Sequence, residues 1–254
     1  MIEQLGLLEA VEADYYDPIR DGLLVRESRR ARRLILQLVP PHTLEVVVPK
    51  GTRPRVVERF VRENRLWIER ARAELATRFR GSREQLPTSI VLPALARSVA
   101  IEYVDSTSRD GKCGWREAGE RLVVRCPASD RAAARALLRK WLLENARIHL
   151  KPWLLHESAK LGDAPRKIQV RLQRTRWGSC SANGTISLNA GLLLLEPALV
   201  RYLMVHELCH LRRLDHSARY WSHVERFVPD YRDLDRRLAG AWTEMPLWIT
   251  EVKR

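Results

Sequence analysis

The sequence predicts an α+β fold, and three observations carry that reading. Apolar and polar residues alternate over short stretches such as 185–188, as a half-buried strand requires. Over longer stretches such as 56–75 and 131–150, apolar residues recur at three- and four-residue steps, as in a helix with one buried face. With 254 residues and 45% apolar content, the chain can build one large core or two modest ones.

Residues 1–21 are rich in acidic side chains and lack the basic start and long apolar core of a secretory leader. The basic run Arg29-Arg30-Ala31-Arg32-Arg33 then precedes a strand-like segment at 34–39, where charge at a sheet edge would resist aggregation. Residues 34–48 read as two strands across a Pro-Pro-His-Thr turn, ending Val46-Val47-Val48-Pro49. An amphipathic helix follows at 56–75, with Trp67-Ile68 inside it. Gly81, Pro87 and Pro93 mark a boundary over 80–93.

A similar order recurs. Residues 99–104 and 122–125 look like strands, 106–119 like the loop at a hairpin tip, and 131–150 like a helix containing Trp141-Leu142. The helical pattern reaches about Leu161, with a break expected at Pro152, and Gly162-Asp163-Ala164-Pro165 leads onward. The expected organisation is a hairpin-plus-helix unit at 1–90, a second strand-strand-helix unit at 91–163, and a catalytic domain at 164–254.

That last part opens with a hairpin over 171–189, where Asn183-Gly184 is a two-residue turn signal. A strand just before the next helix could offer its edge to an extended peptide, an idea that puts Ser187 at the point of contact. Pro197 suits a first helical turn, Glu196 complements the dipole, and Leu199, Leu203, Val205 and Leu208 form an apolar stripe.

On that helix lies His206-Glu207-Leu208-Cys209-His210. Two imidazoles four apart share a face and can share one metal ion, and the neighbouring carboxylate can reach its water. This HExxH pattern makes His206 and His210 ligands and Glu207 the general base. His216 follows ten residues after His206. On a continuous helix it would lie about 15 Å along the axis and about 80° off the face. As third ligand it requires the helix to stop after Leu211 or Arg212, where Arg213 stands in place of the glycine of metzincins. Three protein ligands with an adjacent Glu describe an open, catalytic Zn2+ site.

Arg176-Trp177-Gly178-Ser179-Cys180-Ser181, Ile186-Ser187-Leu188-Asn189, Tyr202 to His210, Asp215-His216-Ser217 with Tyr220-Trp221, and Val228-Pro229-Asp230-Tyr231 together resemble the YgjP-like metallopeptidase domain, a relative of the SprT and WLM zinc proteases. The resemblance is close over about 165–240 and looser before it. It implies a zincin-like catalytic domain with an HExxH helix and a small antiparallel sheet, with His206, His210 and His216 as zinc ligands and Glu207 as catalytic base. Asp215 and Tyr220 stand where the family commonly shows Asn and Phe.

Ser187, Asn189, Arg176, Trp177 and His223 are the candidate substrate-binding residues. His223, seven after His216, reads either as an oxyanion donor or as a packed histidine, and Tyr202 as core. Glu225 is the alternative third ligand. His42, His149 and His156 have no ligand partner at a useful spacing. Cys113 and Cys126 lie thirteen apart in a candidate hairpin, Cys180 and Cys209 flank the motif, and four cysteines without CxxC pairs point to a reducing cytoplasm rather than a disulfide framework.

Net charge is +14 and pI about 10.3. Nucleic-acid binding is therefore possible but not favoured, because arginine is spread along the chain rather than clustered. No stretch approaches the roughly 18 apolar residues of a membrane span, and the oligomeric state is not legible. The reading is a cytoplasmic zinc hydrolase, first a peptidase acting on peptides or proteins. The alternatives are a nucleotide pyrophosphatase using the same centre and a DNA-associated protease or adaptor.

Overall fold

The computed structural model describes residues 23–28, 31–39, 43–78, 85–106, 113–173 and 176–250. The chain divides into two units, Met1–Arg80 and Gly81–Arg254.

In the first unit β1 (Leu23–Ser28), β2 (Ile35–Val39) and β3 (Thr43–Pro49) form a sheet in the order β1-β3-β2, with β1 parallel and β2 antiparallel to the central β3. The expected strands at 34–48 are β2 and β3; β1 was not anticipated. The expected helix at 56–75 is two, α1 (Pro54–Glu63) and α2 (Arg65–Arg78). They meet at Asn64, whose side-chain amide donates to the Phe60 carbonyl and whose backbone leaves helical geometry. Val46, Val48, Val57, Val61 and Ile68 make the core of this unit. Glu45 is buried beside them and paired with Arg26, which satisfies its charge. Of the basic run, Arg32 and Arg33 are exposed, while Arg29 and Arg30, like His42, lie outside the described residues.

The second unit opens with β4 (Ser89–Leu92), β5 (Arg97–Asp105), β6 (Gly114–Ala118) and β7 (Arg121–Cys126), in the order β4-β5-β7-β6. The stretch expected as a hairpin-tip loop contains β6, and the predicted strands β5 and β7 pair with each other in parallel. α3 (Arg131–Leu161) then runs unbroken through Pro152. The expected break fails because Pro152 and Ile148, whose carbonyl loses its partner, both face solvent, where water can take up the freed acceptor. Asp130 caps the start of α3 by accepting from Ala133 N, and Gly162 at φ +77 ends it.

β8 (Lys167–Arg171), β9 (Gly178–Cys180) and β10 (Thr185–Asn189) form the last sheet, in the order β8-β10-β9. β10 is parallel to β8 and antiparallel to β9, so the hairpin is β9–β10 alone. Its turn has three residues rather than two. Gly184 N donates to Ser181 O, Ser181 N to Thr185 O, and Gly184 takes the left-handed position at φ +73. α4 (Pro197–Cys209), α5 (Ala218–Phe227), α6 (Tyr231–Gly240) and α7 (Leu247–Thr250) follow.

One topology thus occurs three times. In each case a first strand lies parallel to a central third strand, the second strand pairs antiparallel on its other side, and a helix comes next. The strand-strand-helix echo in the sequence is two of these three repeats, each lacking one strand. In the second unit the helices and both sheets share one continuous core from Ile90 to Ile249. Among the described residues no helix is long and apolar enough to cross a membrane.

Candidate metal centre

α4 is not the one-sided helix its stripe suggested. Leu199, Val200, Tyr202, Leu203, Met204, Val205, Glu207, Leu208 and Cys209 are all buried, which makes it the central helix of the unit. The last α-helical residue is Cys209, slightly earlier than the expected stop. Leu211 N then donates to Leu208 O, and Arg212 N and Arg213 N both donate to Cys209 O, so the turn tightens without a left-handed residue at Arg213. Asp215 closes it by accepting from Ser217 N, and α5 returns along α4.

This reversal brings His216 back onto His206, with their Nε2 atoms 3.4 Å apart. One ligand atom from each of His206, His210 and His216 lies within 4.8 Å of the others. Among the described residues this is the group able to hold a metal ion. Glu225, the alternative ligand, is exposed on α5 and outside the group.

The ring orientations follow from the outer partners. His210 Nδ1 lies 2.9 Å from the Arg213 carbonyl, which can only accept, so Nδ1 carries the proton and the Nε2 lone pair is free. Tyr202 donates to Asp235 Oδ1 at 2.7 Å, and its oxygen lies 3.5 Å from His206 Nδ1. With the phenol proton committed to Asp235, the oxygen is oriented to accept from His206 Nδ1 and leave that Nε2 free as well. Tyr220 stacks on His210, with centroids 4.5 Å apart, and donates to the His206 carbonyl; Trp221 stacks on His216 and on Tyr231. Burial first, then the neighbouring His210 and His216, lower the His206 pKa to about 3, so this imidazole is neutral and a lone-pair donor at ordinary pH.

Glu207 lies against Gly178 of β9 and is 5% exposed. Burial raises its pKa to about 8 against the opposing pull of Arg176 and a hydrogen bond from the Cys180 backbone. Asn189 N donates to Trp177 O and Ser181 N to Thr185 O, so alternate residues of β9 face β10, and the backbone groups of Gly178 and Cys180 face away from it, toward Glu207. Gly178 is required here: a Cβ would stand 2.7 Å from Glu207 Oε1.

The candidate substrate-binding residues separate in space. Ser187 is in the middle of β10, paired with Gln169 on one side and Ser179 on the other, so its strand has no open edge; the outer strand beside Glu207 is β9. Asn189 is buried, donates to the Gln173 and Arg176 carbonyls and accepts from Gly191 N, fixing the approach to β9. Trp177 donates to the Leu238 carbonyl and stacks on Trp242. Arg176 is exposed, and its charge acts on Glu207. His223 meets the Phe227 ring and the charges of Arg212 and Asp163, away from the triad.

His149 and His156 are exposed on α3. Cys180 and Cys209 hold their thiols raised to about 11 and about 12 by burial, which leaves them poor competitors for a metal. Sequence reasoning missed Asp235. It reaches Tyr202 from α6, 33 residues away, and no local pattern signals it.

The family described as YgjP-like, metallopeptidase domain, matches residues 32–241. Among solved structures, the metallopeptidase zymogen of Pyrococcus abyssi abylysin is 27% identical, with 36% of this chain and 92% of that chain covered and a TM-score of 0.33. No curated protein matches the chain.

Proposed function

The chain belongs to the YgjP-like metallopeptidase family, and on that premise we propose a zinc-dependent peptidase with His206, His210 and His216 as ligands and Glu207 as general base. The observation that carries this reading is the convergence of three histidines within 4.8 Å, next to a buried carboxylate. Three imidazole donors suit Zn2+ in a catalytic site, where a fourth position goes to solvent. Bound there, zinc would polarise the scissile carbonyl and make a water acidic enough to deprotonate near neutral pH.

Glu207 takes the proton of that water onto a carboxylate oxygen and passes it to the leaving amine. Its raised pKa, about 8, suits a group that must both accept and release a proton near neutral pH. The Cys180 N–H and the close approach of Gly178 hold the carboxylate in one orientation. β9 is the outermost strand of its sheet, and an extended peptide added to it would bond to the outward groups that Glu207 leaves unoccupied, since the Cys180 N–H is given to the carboxylate. A phosphoanhydride substrate would instead call for basic side chains converging on the metal. Arg212 is turned to Asp163 and Arg201 to Glu157.

The test is zinc-loaded protein assayed against a peptide library and a nucleotide panel, with Glu207→Gln as control. Peptide cleavage reduced at least about a hundredfold in the variant, with zinc retained, is the expected result. Hydrolysis of nucleotides and not of peptides would assign the centre to the rival chemistry.

A further inference from the structure

Outside the histidine centre, two cysteines occupy opposite positions at the open end of the β6–β7 hairpin. The register runs Ala118↔Arg121, Glu117↔Leu122, Arg116↔Val123, Trp115↔Val124, Gly114↔Arg125, and the next step sets Cys113 against Cys126. Both belong to the face that carries Leu122 and Val124 inward. Cys126 is buried and Cys113 exposed, and neither is joined in a disulfide.

The hydrogen-bond alternation fixes the kind of pair they make. Ala100 N donates to Glu120 O and Ser106 N to Cys126 O, so even-numbered residues of β7 turn their backbone groups toward β5. Odd-numbered residues, Arg121, Val123 and Arg125, therefore bond to β6. The two-residue turn at Gly119-Glu120, closed by Ala118 and Arg121, requires the same parity. Cys113 and Cys126 thus form a non-hydrogen-bonded pair, the type with Cα atoms about 4.5 Å apart and side chains closest together. That separation lies within the range a disulfide spans, about 4.4–6.8 Å.

We propose that Cys113 and Cys126 form a reversible intrachain disulfide that ties the edge strand β6 to β7. With a small-molecule disulfide such as oxidised glutathione as oxidant, the exposed Cys113 thiolate attacks one sulfur and releases one glutathione thiolate. The Cys126 thiolate then attacks Cys113 Sγ in the mixed disulfide and releases the second. Two protein thiols are oxidised and one glutathione disulfide is reduced to two glutathiones, the two thiol protons passing to the leaving thiolates. Burial and the nearby Cys113 hold the Cys126 thiol above its ordinary value, which casts it as the second, intramolecular attacker.

The test equilibrates the full-length protein in glutathione buffers of graded redox ratio, quenches it by alkylation, and maps tryptic peptides. The expected species joins fragments 113–116 and 126–131 at a mass two hydrogens below their sum, and reverts on adding dithiothreitol. The urea midpoint of the wild type should rise on oxidation, and that of Cys113→Ser should not. Alkylated Cys113 and Cys126 at every ratio, or Cys113 arrested as the glutathione adduct with Cys126 still a thiol, would overturn the proposal.

Discussion

Gly178 stands against Glu207 so closely that a single added methyl would lie 2.7 Å from the carboxylate oxygen and 2.9 Å from its Cγ. The strand and the base are therefore fitted to each other: the edge of β9 that faces Glu207 both leaves room for the carboxylate and supplies the Cys180 N–H that orients it. Gly178→Ala should push the carboxylate aside while the fold, whose backbone is not strained at this position, persists. Turnover should fall at least about a hundredfold, with zinc content near one per chain by elemental analysis. Wild-type turnover in this variant would mean that Glu207 can act from another orientation.

Tyr202 and Asp235 should govern how well the metal is held. The Tyr202 phenol donates to Asp235 and leaves an acceptor toward His206 Nδ1, an outer-shell arrangement whose loss typically costs about 10- to 100-fold in metal affinity. Tyr202→Phe keeps the buried ring and removes only the oxygen. Competition with a chromophoric chelator should show weaker zinc binding in Tyr202→Phe and Asp235→Ala, with unfolding midpoints of the metal-free proteins close to wild type for the exposed Asp235 change. Unchanged affinity in both would make the phenol a packing group.

Replacing His206, His210 or His216 by Ala should each reduce bound zinc well below one per chain, since two protein ligands seldom suffice for a stable site. Glu225→Ala should leave occupancy unchanged, because that side chain is exposed on α5. A variant set in which Glu225→Ala loses the metal and His216→Ala keeps it would reassign the third ligand.

What the sequence makes legible is local. His206, Glu207 and His210 announce themselves because a helix repeats its face every three to four residues, and His216 demands a chain reversal on length alone. The break at Asn64 and the continuity through Pro152 are less legible, because each depends on whether the affected carbonyl faces solvent or a neighbour. β6 reads as loop since Gly114-Trp115-Arg116-Glu117-Ala118 is short and half polar; Glu117 is inward because it accepts from Trp141 Nε1 on α3 and pairs with Arg97. Ser187 lies on the strand that comes just before the motif helix in sequence. Strand order decides which strand is outermost, and strand order is set by long-range pairing. The function of Gly178 is hidden for the same reason, since its partner lies 29 positions further on and nothing in Trp-Gly-Ser marks a contact with a carboxylate.

The metal-stripped protein should show a stability optimum in mildly acidic solution, set by two buried groups shifted in opposite directions. Glu207 is raised from 4.5 to about 8, chiefly by burial. Between those values the folded protein keeps a proton that the unfolded chain has released, so acidification from pH 8 stabilises. His206 is lowered from 6.5 to about 3, again chiefly by burial. Between those values the unfolded chain takes up a proton that the folded protein refuses, so acidification below 6.5 destabilises. Above 6.5 only the first effect operates, below 4.5 only the second, and between them the two offset. His210 and His223, also lowered by burial, reinforce the acid limb and draw the optimum toward its upper end. Glu207→Gln removes the alkaline limb: at pH 8.5 the stripped variant should exceed wild type by on the order of 5 kcal/mol, and the gap should close toward pH 4.5. Urea midpoints across pH 4 to 8.5 measure it. A pH-independent difference between the two proteins would show that Glu207 is not held neutral by its burial against β9.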